Sequence, residues 1–330
     1  LDIAVLIPLT NSHFNFCRSL YSALINDYPA PTLINFGKQF PSPQLGRVFK
    51  ISGIADYLHQ KLKPSQYALI LDGYDVWAQL PFSTLRNVLV DENSPVNRSV
   101  ALFGADKKCW PNAFSSPACT NVPESTLPKD AFGADTDDDS VLRPNRQRYI
   151  HMRPRWLNSG TIIGPVSVLR DIYDQANDTI SKANIEDIFS DQMYIADIYG
   201  EQKLPMIVDF TNSVFQTMTF SHADISFVPD DLMLPPHRRH PGDRRLYAYN
   251  TISESLPSLL HFNGPKEHMD TWWPKMWWSR LRNHPAVIEK STYIYQHGGA
   301  YDQDGSFHTW YDLCEDIDVH NPATGKKINP

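Results

Sequence analysis

Residues 68–77 read ALILDGYDVW, an apolar run that stops at Asp72 and is followed by Asp75 three positions on. The run is short, continuous and bounded by turn residues, as in a strand buried on both faces. An Asp-Gly pair after such a run marks a turn. Taken alone, these residues support a plain turn as readily as a site for something charged, and the flanking sequence decides which.

Outward from this stretch, strand and helix patterns alternate. Residues 1–9 (LDIAVLIPL) form another continuous apolar run, and residues 15–25 show helical spacing, with Phe16, Leu20, Ala23 and Leu24 on one side. A short strand is expected at 31–36, a helix at 52–62 ended by Pro64, the strand at 67–71, a helix at 84–90 and a strand at 100–105. This succession predicts an α/β fold with an open, mostly parallel sheet and helices on both faces. Beyond it, residues 111–155 are rich in Pro, Ser and Asp and read as a long loop. Its acidic run at 135–139 (DTDDD) is a solvated face or a cation site. Order returns in WLNSGTIIG at 156–164, with helices expected at 166–176 and 187–199 and short strands at 207–209 and 258–262. No internal repeat or linker is visible, so one domain is expected over 1–273, with 274–330 a C-terminal extension packed on it.

The chain has 330 residues, 42% of them hydrophobic and 12% aromatic, enough for a large core. A net charge of −7 gives no reason to expect a nucleic-acid partner. The basic cluster at 237–245 contains Pro and Gly and reads as a solvated loop. None of the four cysteines has metal-site spacing. Cys109 and Cys119 bracket a short loop, as a local disulfide would, and Cys314 is expected to tie the extension to Cys17. Sequons at 97–99 and 177–179 add to the paired cysteines in pointing to the secretory pathway, an ER or Golgi lumen or the exterior. No run reaches the roughly 20 apolar residues that cross a bilayer. The expectation is a luminal domain whose signal or membrane anchor lies outside these residues.

In a parallel sheet, ligands bind beyond the carboxyl ends of the strands. Asp72 ends such a strand, and a turn through Gly73 brings Asp75 beside it. Two carboxylates that close repel unless a cation neutralises them, which suits a hard divalent ion such as Mn²⁺ or Mg²⁺. Residues 259–266 (LLHFNGPK) are a second apolar strand that ends in a possible ligand, His261. An imidazole favours Mn²⁺ over Mg²⁺. The alternative is a satisfied core histidine. Ser190-Asp191-Gln192 is either a helix N-cap or a source of a carboxylate and an amide for a ligand.

In order, LDGYDVW, LFGADKKCWPN (102–112), WLNSGTIIG, SDQMYIADIY (190–199), VFQTM (214–218) and LLHFNGPK resemble the glycosyltransferase-A domain of the procollagen lysyl hydroxylase family, as a distant relative. The His-x-x-Gly run also looks like the metal-ligating end of glycogenin-type enzymes. The resemblance implies the GT-A fold, with a Rossmann-like sheet, and transfer of a hexose from a UDP-sugar to a hydroxyl on a protein or glycan, with Mn²⁺ or Mg²⁺. It makes Asp72, Asp75 and His261 metal ligands. It places Thr10, Lys50, Gln216, Gly264 and Lys266 with Asp72 around the donor, and Asn158 and Asp191 at the transferred sugar as the catalytic candidates. Two positions depart from the family: Gly53 stands where an aromatic residue flanks the base, and Lys266 is one residue closer to His261.

Aromatic surfaces stack on sugars, so WWPKMWW at 272–278 is an acceptor platform or a packing element. Two other functions compete with the transferase. A non-catalytic module of the same fold is favoured by Gly53. A metal-dependent phosphohydrolase calls for more carboxylate and histidine ligands at strand ends than this sequence offers.

Overall fold

The computed structural model describes residues 2–91, 99–133, 149–230 and 244–314. The acidic run at 135–139 lies outside them, as do most of the basic cluster and the first two residues of the sequon at 97–99. The opening apolar run is β1 (Ile3–Pro8), with β2 (Thr32–Ile34) and β3 (Tyr67–Leu71) parallel to it on either side. Successive side chains of a strand point to opposite faces, and each face of this sheet has its own core. Val5 and Ile7 join Leu69, Leu71 and the buried side of α1 (Phe14–Ile25), while Leu6 joins Ala68, Ile70 and the buried side of α2 (Pro43–Lys61). That is why β1 and β3 read as unbroken apolar runs.

Among the described residues the sheet has eight strands. β6 (Trp156–Pro165) inserts antiparallel between β3 and β5 (Ala101–Asp106), and β7 (Met206–Val208) runs parallel to β5. At the other edge β12 (Gly299–Asp302) lies parallel to β2, followed by antiparallel β13 (Phe307–Thr309). Only β6 and β13 are reversed, so the sheet is mostly parallel, with helices on both faces.

A second sheet positions the site. β4 (Val76–Ala78) follows β3 directly, and β11 (Leu259–His261) pairs antiparallel with β4 and parallel with β8 (Phe215–Thr217). His261 is in register with Val76, and Phe262 N donates to Asp75 O at 2.8 Å. The DGYD turn therefore steps from one sheet to the other, with Asp72 at the end of the large sheet and Asp75 at the start of the small one. A separate ribbon pairs β9 (Ile225–Pro229) with β10 (Leu246–Asn250).

The helix expected at 52–62 begins much earlier. Ser42 caps it, its hydroxyl accepting from Leu45 N at 3.3 Å, and Pro43 occupies the first turn, where a missing N–H costs nothing. Lys50 accordingly lies inside α2, not ahead of it. Residues 275–314 are woven into the fold: β12 and β13 extend the main sheet, and the Cys17–Cys314 disulfide ties their end to α1. Trp272, Trp273, Trp277 and Trp278 are all buried in the core that α1 covers, which makes WWPKMWW a packing element. The second disulfide joins Cys109 and Cys119.

Candidate active site

The three donors converge. Side-chain ligand atoms of Asp72, Asp75 and His261 lie within 4.8 Å of one another. His261 Nε2 stands 3.5 Å from Asp75 Oδ2 and 3.9 Å from Asp72 Oδ2. Lys266 Nζ pairs with Asp75 and donates to Phe262 O at 2.9 Å. Burial opposes the charge on Asp75, but His261 and Lys266 outweigh it and hold the carboxyl below the usual range. Burial likewise opposes a charge on His261, and Asp75 outweighs it, raising the imidazole.

Gly160 keeps this space open. It lies opposite the site in β6, its carbonyl accepting from Asp72 N at 2.8 Å. A Cβ there would stand 2.7 Å from His261 Nε2 and 2.8 Å from Asp72 Oδ2. Two carboxylates and an imidazole with their donor atoms within 4.8 Å of one another fit a divalent cation, with the nitrogen donor favouring Mn²⁺ over Mg²⁺.

Lys50 joins this cluster to the next acid. Its Nζ lies 2.7 Å from Asp72 Oδ1 and 2.7 Å from Asp191 Oδ2. Burial works against its charge, but Asp191 and Asp72 together raise its pKa above the ordinary lysine value. Asp191 opens the helix Asp191–Glu201, and Ser190 caps that helix by accepting from Gln192 N at 3.2 Å. The cap and the site thus share one tripeptide.

A fourth acid, Asp106, is missed by the motif reading. It ends β5 as Asp72 ends β3, so the same strand-end reasoning finds it. Its carboxylate accepts from Asn158 Nδ2 at 3.0 Å and Asn263 Nδ2 at 2.8 Å, and burial pushes its pKa up. Asn158 Oδ1 accepts from Gly160 N at 2.9 Å, and Asn263 Oδ1 from Met218 N and Thr219 N, both at 3.0 Å. Both amides are therefore held by the fold, and Asn158 fixes the backbone of Gly160.

These groups line one cleft of about 510 Å³, which also takes in Gly264 and Lys107. Gly264 adopts φ +91°, a conformation that favours glycine. No protein-family model and no curated protein matches the chain. Among solved structures it is similar to a glycosyltransferase involved in the glycosylation of the major capsid of PBCV-1, at 11% identity and a TM-score of 0.44. The alignment covers 82% of this chain and 100% of that one.

Two expected donor-site residues do not line the cleft. Thr10 lines a neighbouring, more open hollow of about 780 Å³ with Gly37, Phe40, Ser42 and Gly46. That hollow abuts the DGYD turn, because the Tyr74 hydroxyl donates to Asn11 O at 3.2 Å. Gln216 is fully buried. Its Oε1 accepts from Asn250 Nδ2 at 2.8 Å and its Nε2 donates to Thr217 O at 2.7 Å, so it braces the small sheet against β10. Gly53 sits in α2 where a Cβ would meet the Asn35 amide at 2.7 Å, which leaves no room for an aromatic side chain without displacing Asn35.

Proposed function

We propose that the chain is a metal-dependent glycosyltransferase of the GT-A type, moving a hexose from a UDP-sugar to a hydroxyl on a protein or glycan. The observation that carries this reading is the convergence of Asp72, Asp75 and His261 beside two lysines and Asp191, at strand ends and in one cleft. Asp72, Asp75 and His261 would hold the ion, which when bound neutralises negative charge on a departing diphosphate. Lys266 stands at the same carboxylate and supplies a second positive charge to the phosphates. Lys50 holds Asp191 and Asp72 in fixed relation. Asp191 either orients the sugar through its hydroxyls or accepts the proton of the acceptor hydroxyl. Asn158, with its amide engaged, acts by shaping the β6 backbone at Gly160. Thr10 and its hollow, which meets the turn where Tyr74 bonds Asn11, suit the nucleoside.

The two disulfides support an oxidising compartment, an ER or Golgi lumen or the exterior. No helix among the described residues is long and apolar enough to cross a membrane.

The test is release of UDP from UDP-glucose and UDP-galactose, with and without Mn²⁺, in the wild type and in Asp75→Ala. Turnover that needs Mn²⁺ and is lost in the variant supports the reading. One observation favours a second reading, a non-catalytic binding module of the same fold: the space beside Gly53 that a base-flanking ring would use is taken by Asn35. A folded protein that neither turns over nor binds any UDP-sugar would select the module in place of the enzyme.

A further inference from the structure

We propose that Trp110 and Phe189 form a saccharide-binding platform at the mouth of the cleft, on which the pyranose ring of an acceptor glycan rests. The proposal builds on the transferase reading and names the acceptor class. Unlike the four tryptophans at 272–278, Trp110 is 46% exposed while lining the cleft, and Phe189 is 61% exposed. Their rings meet edge to face, with centroids 5.8 Å apart at 71°. Large apolar rings left in water beside a polar cleft mark a binding surface.

Both rings are carried on anchored backbone. The Trp110 carbonyl accepts from Gln192 Nε2 at 2.6 Å, and the residue before it, Cys109, is in a disulfide. The carbonyl of Ile188, before Phe189, accepts from Arg47 Nη1 at 2.8 Å. Anchoring lowers the entropy lost when a ligand binds. Gln192 also accepts from Ser159 N at 3.1 Å, so one side chain ties the platform to the floor of the cleft.

The chemistry suits a sugar. A pyranose presents C–H groups on one face and hydroxyls around its rim, and an aromatic ring offers a negative face to the C–H groups. Asp191 and Ser159 line the cleft next to the platform and can pair with rim hydroxyls. A peptide acceptor recognised through its main chain would need free backbone groups, and the carbonyls of Ile188 and Trp110 are already engaged.

Saturation-transfer NMR with methyl glycosides of glucose, galactose and mannose tests this, with a serine-containing peptide as competitor class. The wild type is expected to saturate ring C–H protons of at least one glycoside. Trp110→Ala and Phe189→Ala should each lower that signal fivefold or more, the exposed Phe189 serving as the variant least able to disturb folding. No glycoside signal, an undiminished signal in both variants, or saturation of the peptide alone overturns the platform. Thermal shifts with UDP and Mn²⁺ on the same samples separate the two readings. A glycoside signal without a UDP shift removes the transferase and leaves the platform, and the converse removes the platform alone.

Discussion

Gly160 of β6 faces the His261 ring across the site so closely that a Cβ would sit 2.7 Å from Nε2, and nearer still to Cε1. The ring cannot move aside freely, because His261 is 2% exposed and ends a strand paired on both sides. Gly160→Ala is therefore expected to push the imidazole off the two carboxylates. Groups that orient a metal ligand typically contribute about 10–100-fold in affinity or activity, and a loss of that size is expected in a Mn²⁺ titration followed by electron paramagnetic resonance. Unchanged Mn²⁺ affinity would remove His261 from the ligand set.

Lys266 offers a separate handle, since it pairs with Asp75 without belonging to the donor set. Removing one preorganised group that stabilises charge at a transition state costs on the order of 100-fold in kcat. Lys266→Ala should show that loss in UDP release, with Lys266→Arg recovering part of it because the positive charge remains. Equal rates for the two variants would mean that the charge is not used.

His222 gives the fold a pH dependence away from the site. Burial, then the neighbouring charges of His268 and Lys275, lowers its pKa from 6.5 to about 4. The rings of His222 and His268 lie 4.1 Å apart. Between these two pH values the unfolded chain binds the proton and the folded chain does not. The stabilisation is thus fully present above pH 6.5 and falls away as the pH drops towards 4. His222→Asn should flatten the decline of Tm over that window, and a parallel decline would assign the acid sensitivity to other groups.

The Cys17–Cys314 bridge spans a sequence separation of 297 residues and secures the β12–β13 edge to α1. Loss of a native disulfide typically costs about 2–5 kcal/mol. Cys17→Ser with Cys314→Ser should lower the denaturation midpoint accordingly. Breaking the Cys109–Cys119 bridge, with a separation of 10, should cost less, since a shorter loop constrains the unfolded chain less. Equilibrium denaturation of the two paired variants checks the order.

Much of the first half was legible in local sequence. β1 and β3 announce themselves because strands buried on both faces need apolar residues throughout, and the DGYD turn follows from residues that favour turns. The strand end pointed to Asp72, and LLHFNGPK to His261, by the same local reasoning. α2 was read short because its first turns carry little helical periodicity, although Ser42 and Pro43 marked its start.

What the chain determined by itself was the set of elements and the chemical types at their ends, since both follow from the preferences of neighbouring residues. Tertiary structure alone decided which ends meet. The pairing of Asp106 with Asn263, the burial of Gln216 behind Asn250, the placing of Thr10 in a separate hollow and the seating of β12 on β2 all join residues far apart in sequence. The same holds for the tryptophans: 272–278 carry four, yet the core takes all of them and leaves Trp110 exposed at the cleft. Such contacts are selected by the packing of whole sheets and helices, which no short stretch encodes.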